Sequence, residues 1–149
     1  MRAVPRRMLP AAVAAAAAAV VASIGAAPAR AACGNELPAA HRLLAEAPGL
    51  QIAFAPRPAP LPAGRPFSLD LVLCPAPGQP MPAGLAVDAD MPAHRHGMNY
   101  RPSVTPLGGG RFRADGLLLH MAGRWRFSFD LPAADGAPAR RLTREIDLR

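Results

Sequence analysis

The sequence predicts an all-β domain, an immunoglobulin-like β-sandwich of roughly six or seven strands that follows one short helix. The first observation is a period of two beyond Pro48, where apolar residues alternate with polar ones as in strands that bury one face. The second is a series of Gly- and Pro-rich turn segments between these runs, with no helical pattern among them. Short strands spaced in this way are typical of a sandwich.

Residues 1–31 have the pattern of a cleaved signal peptide. Three arginines near the start are followed by an alanine-rich apolar run over residues 11–27 and by the small-x-small sequence Ala29-Arg30-Ala31. The run is too short and too weakly apolar for a membrane span. We therefore expect a periplasmic or secreted protein without a membrane span after cleavage, exported by either the general or the twin-arginine route.

The positive charge of the chain is modest once the signal peptide is removed. The chain has 17 arginines, no lysine and 10 acidic residues, a net charge of +7. Four of the arginines lie in residues 1–31, which leaves 13 against 10 acids, or +3, in the mature domain. Because an exported protein rarely meets nucleic acid, we expect no nucleic-acid partner. The arginines that alternate with apolar residues are expected to form a solvated face: Arg111, Arg113, Arg124 and Arg126.

Two cysteines, Cys33 and Cys74, remain in the mature domain. An even pair in an oxidising compartment is most simply a disulfide, and neither cysteine has the CxxC partner of a redox motif. The bridge would close a loop of about 40 residues and stabilise the fold by about 3–4 kcal/mol. Because Cys74 faces away from Leu71 and Leu73 in an extended strand, the bridge would tie the N-terminal helix to the outer face of a sheet.

Residues 32–149 are expected to form one domain, with a helix from about 36 to 47 and strands over about 50–149. Apolar residues recur at three- and four-residue spacing in the predicted helix, which Pro48-Gly49 would end. His41 on this helix is expected to be a solvated residue. In the strand near residue 127, Trp125, Phe127 and Phe129 alternate with polar residues, which predicts three aromatic side chains in the core.

Residues able to carry chemistry are concentrated in one region. Three of the four histidines and three of the six methionines lie within residues 91–121. Imidazole and thioether groups are ligands that copper prefers, with zinc as the main competitor. The candidate metal ligands are His94, His96, Met98, His120, Met91 and Met121.

Strand geometry favours a common site for these residues. Residues two apart in an extended chain face the same way, which puts His94, His96 and Met98 on one side. A hairpin centred on Gly109 would set Met98 opposite His120. The alternative is that the methionines fill the core and that His120 is buried with a hydrogen bond.

Three motifs lie between residues 88 and 125: Asp88-x-Asp90-Met91-Pro92-x-His94-x-His96-Gly97-Met98, Gly110-x-Phe112 and Gly116-x-x-x-His120-Met121-x-Gly123-x-Trp125. They resemble the YtkA-like domain family, which is related to FixH-like proteins. The resemblance covers roughly residues 50–149 and implies an exported or membrane-tethered immunoglobulin-like domain, associated with copper handling or cytochrome oxidase assembly, with the same histidines and methionines as ligands. Arg95 replaces the more common glycine of the family, and Ala122 replaces proline.

We therefore expect a periplasmic copper-binding protein that stores, buffers or delivers copper, together with an envelope partner such as a copper-requiring or oxidase-assembly protein. His94 and His96 would anchor the ion, Met98 and His120 would complete the site, and Met91 or Met121 would add a thioether. The alternative is a metal-free interaction domain that docks an envelope partner and does not need the histidines. An enzyme is not expected, because the hydroxyl and carboxyl residues form no nucleophile motif or carboxylate pair.

Overall fold

The computed structural model of the chain describes residues 32–133 and 138–149, and the predicted signal peptide lies outside them. The described residues are nearly all β, with nine strands and two 3₁₀ turns, Ala39–His41 and Pro92–His94. None of their helical segments is long and apolar enough to cross a membrane. The strands are β1 (Leu43–Ala47), β2 (Leu50–Arg57), β3 (Phe67–Pro75), β4 (Ala86–Met91), β5 (His96–Gly97), β6 (Ser103–Gly108), β7 (Arg111–Leu117), β8 (Gly123–Leu131) and β9 (Arg140–Leu148).

The strands form two antiparallel sheets, which confirms the predicted all-β sandwich with more strands than the six or seven expected. One sheet has five strands in the order β1-β2-β3-β7-β6, and the other has four in the order β5-β4-β8-β9. At one end of the strands lie residues 92–98 and 118–122, which we call the histidine end. At the other end lie residues 76–85 and 132–133, which we call the proline end.

The core between the sheets is built on the aromatic residues of β8. Trp125, Phe127 and Phe129 are fully buried, as the alternation along this strand predicts. The ring centroid of Phe54 on β2 lies 5.5 Å from that of Phe127 and 4.9 Å from that of Phe129. Burial of each such side chain is worth about 1.5–3 kcal/mol.

The predicted helix over residues 36–47 is wrong. Its C-terminal half is strand β1, which pairs with β2 from Leu43↔Phe54 to Ala47↔Leu50. Pro48-Gly49, expected to end a helix, is instead the two-residue turn of this hairpin, and Gly49 has a φ of 78°. Only the short turn Ala39–His41 is helical in this segment.

The predicted disulfide is confirmed, with 5.9 Å between the Cα atoms of Cys33 and Cys74. It holds the N-terminal segment against the outer face of the five-stranded sheet. A small second apolar cluster is buried there, separate from the main core. The segment it holds is a turn and not the helix that was expected. The buried members of this outer cluster are Cys33, Leu37, Ala53, Ala55 and Val72.

The outer faces of both sheets carry arginines paired with aspartates. Arg126 makes a two-point ion pair with Asp90, at 3.0 and 2.7 Å, which raises the pKa of the guanidinium. Arg124 contacts Asp147 across the same face. On the five-stranded sheet, Arg113 contacts Asp70 at 2.8 Å. These charges are partly exposed and largely neutralise one another.

Strand β9 forms one edge of the four-stranded sheet. Its inward row consists of Leu142, Arg144, Ile146 and Leu148, and Arg144 is paired in register with Phe127. Leu142 and Leu148 are buried, whereas Arg144 is exposed. A charged residue therefore interrupts the apolar row of this edge strand.

Candidate metal centre

The first histidine-bearing segment is a tight turn that folds back on β4. After Met91 the chain forms the 3₁₀ turn Pro92–His94, passes through Arg95 in the left-handed region, and returns as the short strand β5. His96 pairs with Met91, and the Met98 N–H donates to the Ala89 carbonyl at 3.0 Å. The extended geometry expected for residues 94–98 is therefore wrong.

Gly97 allows the close approach of this turn to β4. A Cβ atom at this position would lie 3.1 Å from the Ala89 carbonyl oxygen, closer than side chains normally come. Gly97 pairs with Asp90 in the β4–β5 ladder. The absence of a side chain at Gly97 thus favours close packing of the turn against β4.

The second histidine-bearing segment, residues 118–122, joins β7 to β8 and is held at two backbone positions. The Gly64 N–H donates to the Leu119 carbonyl at 2.8 Å. The indole Nε1–H of Trp125 donates to the Met121 carbonyl at 3.0 Å. Leu119 is also fully buried. His120 therefore lies between two fixed points of the chain.

The structure brings three of the predicted ligands, His94, His96 and His120, close together. The His96 ring centroid lies 5.0 Å from that of His120 and 5.8 Å from that of His94. The buried Trp125 ring is 6.0 Å from His96 and 5.4 Å from His120, edge to face in both cases. His94 and His120 are exposed and His96 is half-buried. The result is an imidazole cluster at the surface, supported from beneath by Trp125.

The ring separations can be compared with those around a bound metal ion. In proteins, an imidazole nitrogen lies about 2.0–2.1 Å from a bound zinc ion, and copper is similar in size. Two imidazoles that bind the same ion at a tetrahedral angle therefore have ring centroids about 5 Å apart. The His96–His120 separation of 5.0 Å fits this value. Among residues 32–133 and 138–149, however, no three His, Cys, Asp or Glu side chains are arranged to hold an ion. A third imidazole ligand would require rotation of the exposed His94 side chain.

The three predicted methionine ligands differ in their surroundings. Met91 is buried in the main core, and its Cε would lie 2.6 Å from a Cβ on Gly123. Met98 is partly buried against the core, whereas Met121 is 40% exposed. Met121 is therefore the most exposed of the three thioethers and is next to His120 in sequence, whereas Met91 is enclosed in the core.

The predicted register of the Gly109 hairpin holds over residues 103–106, but it shifts next to the turn, where Gly108 pairs with Arg111. Ser103↔Asp115 and Thr105↔Arg113 pair as predicted. The β6–β7 pairing begins at Ser103, however, and residues 96–97 pair with β4 in the other sheet. Met98 is consequently not opposed to His120 in a strand pair.

Sequence reasoning missed two features of the site. Trp125 was expected only in the core, but its indole N–H also fixes the backbone beside His120. The spacing Met121-x-Gly123-x-Trp125 could have indicated this contact. A tryptophan four residues after Met121 can reach the carbonyl of the preceding turn with its indole N–H. The carboxylates of the histidine motif have structural partners: Asp90 binds Arg126, and Asp88 accepts the Ala89 N–H at 2.8 Å.

The chain is similar in structure to a DUF4426 family protein from Pseudomonas aeruginosa PAO1, with a TM-score of 0.51 and 10% sequence identity. The similarity covers 74% of this chain and 97% of that protein. At this identity it shows the all-β fold alone. No family model and no curated protein matches the sequence.

Proposed function

We propose that the chain is an envelope copper-binding protein that stores, buffers or delivers the ion through the imidazole cluster. The observation that carries the proposal is the 5.0 Å separation of the His96 and His120 rings, with His94 5.8 Å from His96. Three of the four histidines of the chain thus meet from two segments distant in sequence.

His96 and His120 are the proposed anchors of the ion. His94, whose exposed ring lies 5.8 Å from that of His96, is the proposed third imidazole, and Met121 offers an exposed thioether next to His120 in sequence. Met98 lies on the same turn as a further thioether, and Met91 supports the site from the core. Imidazole suits Cu(II) and thioether suits Cu(I), so this donor set accepts both oxidation states, with zinc as the competing ion.

The accessibility of the cluster favours exchange of the ion over permanent burial. Two of the three imidazoles are exposed, so a ligand from a donor or acceptor can approach the ion while it is bound. This property suits buffering and delivery to an envelope partner. A metal cofactor held for redox chemistry is more often enclosed and rigidly coordinated.

Membership of the YtkA-like family and export to the periplasm are part of this proposal. The motif positions that carry no donor atom have packing roles that account for their residue types. Gly97 permits contact with β4, Gly123 leaves room for Met91, and Trp125 holds the 118–122 segment. The disulfide is compatible with an oxidising compartment.

The proposal is tested by titrating the mature protein with copper and, separately, with zinc. Bound metal is counted by native mass spectrometry, and the single tryptophan, Trp125, is followed by fluorescence. We expect one copper per chain. His96→Ala with His120→Ala should lower the affinity at least about 100-fold, because both anchors are lost.

His41→Ala is the matched control, since His41 is an exposed histidine on the Ala39–His41 turn and makes no ring contact with the cluster. It should bind copper as the parent does. Circular dichroism and thermal unfolding establish that each variant is folded. If the double variant binds copper with the parent affinity, the site lies elsewhere and the metal-free interaction domain becomes the better explanation.

A further inference from the structure

Arg95 lies between His94 and His96 in a backbone conformation that disfavours arginine. Its φ is 55° and its ψ is 34°, in the left-handed region where the Cβ atom of an L-residue is crowded. Among the described residues, the other positions with φ in this range are all glycines. Arg95 therefore adopts a conformation that glycine reaches more easily, so its side chain merits a search for a role.

The positive charge of Arg95 is not neutralised by the rest of the described chain. The side chain is exposed and forms no ion pair with an acid of residues 32–133 or 138–149. The two acids closest to it in sequence have other partners, because Asp90 binds Arg126 and Asp88 accepts the Ala89 N–H. The guanidinium of the residue between His94 and His96 thus has no acidic partner among the described residues.

A permanent positive charge close to a cation site acts in opposite directions on cationic and anionic metal complexes. It repels a free or positively complexed metal ion, and it attracts a metal ion that arrives in a negatively charged ligand shell. A guanidinium group also matches a carboxylate in geometry, so it can hold such a shell in place. The charge therefore discriminates between forms of the same metal.

We propose that Arg95 selects anionic, carboxylate-bound copper as the form in which the ion is delivered to the imidazole cluster. This inference rests on the proposed copper site. The transfer is a ligand exchange without change of oxidation state. Each Cu–O bond to a donor carboxylate that breaks is replaced by a Cu–N bond to a neutral imidazole, and the carboxylate leaves as an anion.

The test is the rate of copper loading from two donors of opposite charge. Copper(II) citrate is anionic, and the copper(II) complex of ethylenediamine is cationic. Loading is followed in a stopped-flow instrument through quenching of Trp125, whose ring lies 5.4 Å from that of His120. Arg95 is replaced by lysine, glycine and glutamate, which keep, remove and reverse the charge.

Arg95→Glu should slow loading from citrate by about 3- to 10-fold and accelerate loading from the ethylenediamine complex by a similar factor. Arg95→Gly should lie between parent and Arg95→Glu, and Arg95→Lys should resemble the parent for both donors. The differences should largely disappear near 1 M salt, where the Debye length is about 3 Å.

Arg111→Glu is the control, because Arg111 is an exposed arginine at the start of β7, near the proline end, and the change alters the net charge equally. The proposal is overturned if Arg111→Glu has the same effect, if the Arg95 variants change both rates in the same direction, or if they change neither. An equilibrium titration separates this result from failure of the copper site itself. If the parent protein takes up no copper at equilibrium, the proposed function is wrong, and so is the proposed role of Arg95.

Discussion

The two ends of the sandwich close the same strands with different chemistry. At the histidine end, two segments bring imidazoles to the surface and are held by hydrogen bonds to the backbone carbonyls of Ala89, Leu119 and Met121. At the proline end, the turns form a shallow apolar groove with Leu50, Met81 and Leu131 in its lining. Met81 covers Gly110, where a Cβ atom would lie 2.9 Å from the Leu73 carbonyl oxygen.

The residue types at the two ends show which of them are needed to close the sandwich. The proline end is closed by prolines, aliphatic residues and Met81, which is 47% exposed, so an exposed methionine is not particular to the histidine end. None of the described residues that line this groove is a histidine, so closure of a sandwich does not require imidazole. We therefore explain the imidazoles at the histidine end by the proposed copper binding, and we expect changes at the two ends to affect stability and copper binding differently.

The largest effect is expected at Trp125, which belongs to both the core and the histidine end. Trp125→Ala should lower the free energy of unfolding by about 3–5 kcal/mol, and Leu131→Ala near the other end of β8 by about 2–5 kcal/mol. Only the tryptophan variant should also bind copper more weakly when folded, since the Met121 carbonyl loses its donor. Urea denaturation and copper titration measure the two quantities. A loss of stability below about 1 kcal/mol for Trp125→Ala would contradict its structural role.

Removal of the disulfide should affect stability without affecting the histidine end. Cys33→Ser with Cys74→Ser should lower the free energy of unfolding by about 3–4 kcal/mol, because the cross-link is lost. Cys74 directly precedes Pro75 near the proline end, away from the histidines. The copper affinity of the folded variant should equal that of the parent. A fall in affinity would show that the two ends are coupled. Alkylation of two thiols in the unreduced parent would show that the bridge is absent from the purified protein.

A smaller effect is expected at Asp70, on the outer face between the two ends. Burial raises the pKa of this carboxyl, but hydrogen bonds from Arg57 and Arg113 outweigh it and lower the pKa below its ordinary value. The ion pairs therefore stabilise the fold above the unfolded pKa, near 3.9, and this contribution is lost as pH falls through the lower, folded value. Asp70→Asn should cost about 1 kcal/mol at pH 7. The difference from the parent should shrink in denaturation at about pH 2.5; a larger difference there would reverse the sign of the pKa shift.

Much of the fold was predictable because its signals are local. The alternation of Trp125, Phe127 and Phe129 predicts the buried face of β8, and the triglycine predicts the pairing of residues 103–106 in the β6–β7 hairpin. The N-terminal helix was wrong because a five-residue strand and a helix can share the same apolar positions. Pairing with β2 and the bridge at Cys33, both long-range, decide between them.

The grouping of His94, His96 and His120 was also anticipated, but on an incorrect geometry. Sequence spacing treated residues 94–98 as an extended strand, whereas Arg95 turns the chain and β5 joins the other sheet. The approach of His120 to His96 depends on the packing of two sheets, which spacing does not encode. The burial of Met91 under Gly123 has the same origin.

The exposed Arg144 in the inward row of β9 affects whether another chain can pair with this edge strand. An edge strand of nine residues presents unpaired backbone groups to which another chain could add. The inward-facing charge of Arg144 would have to be desolvated if another chain were added to β9. Strand β6, at the edge of the other sheet, contains Pro106, which has no N–H to donate to another strand. Arg144 and Pro106 thus oppose the addition of another chain at these two edges.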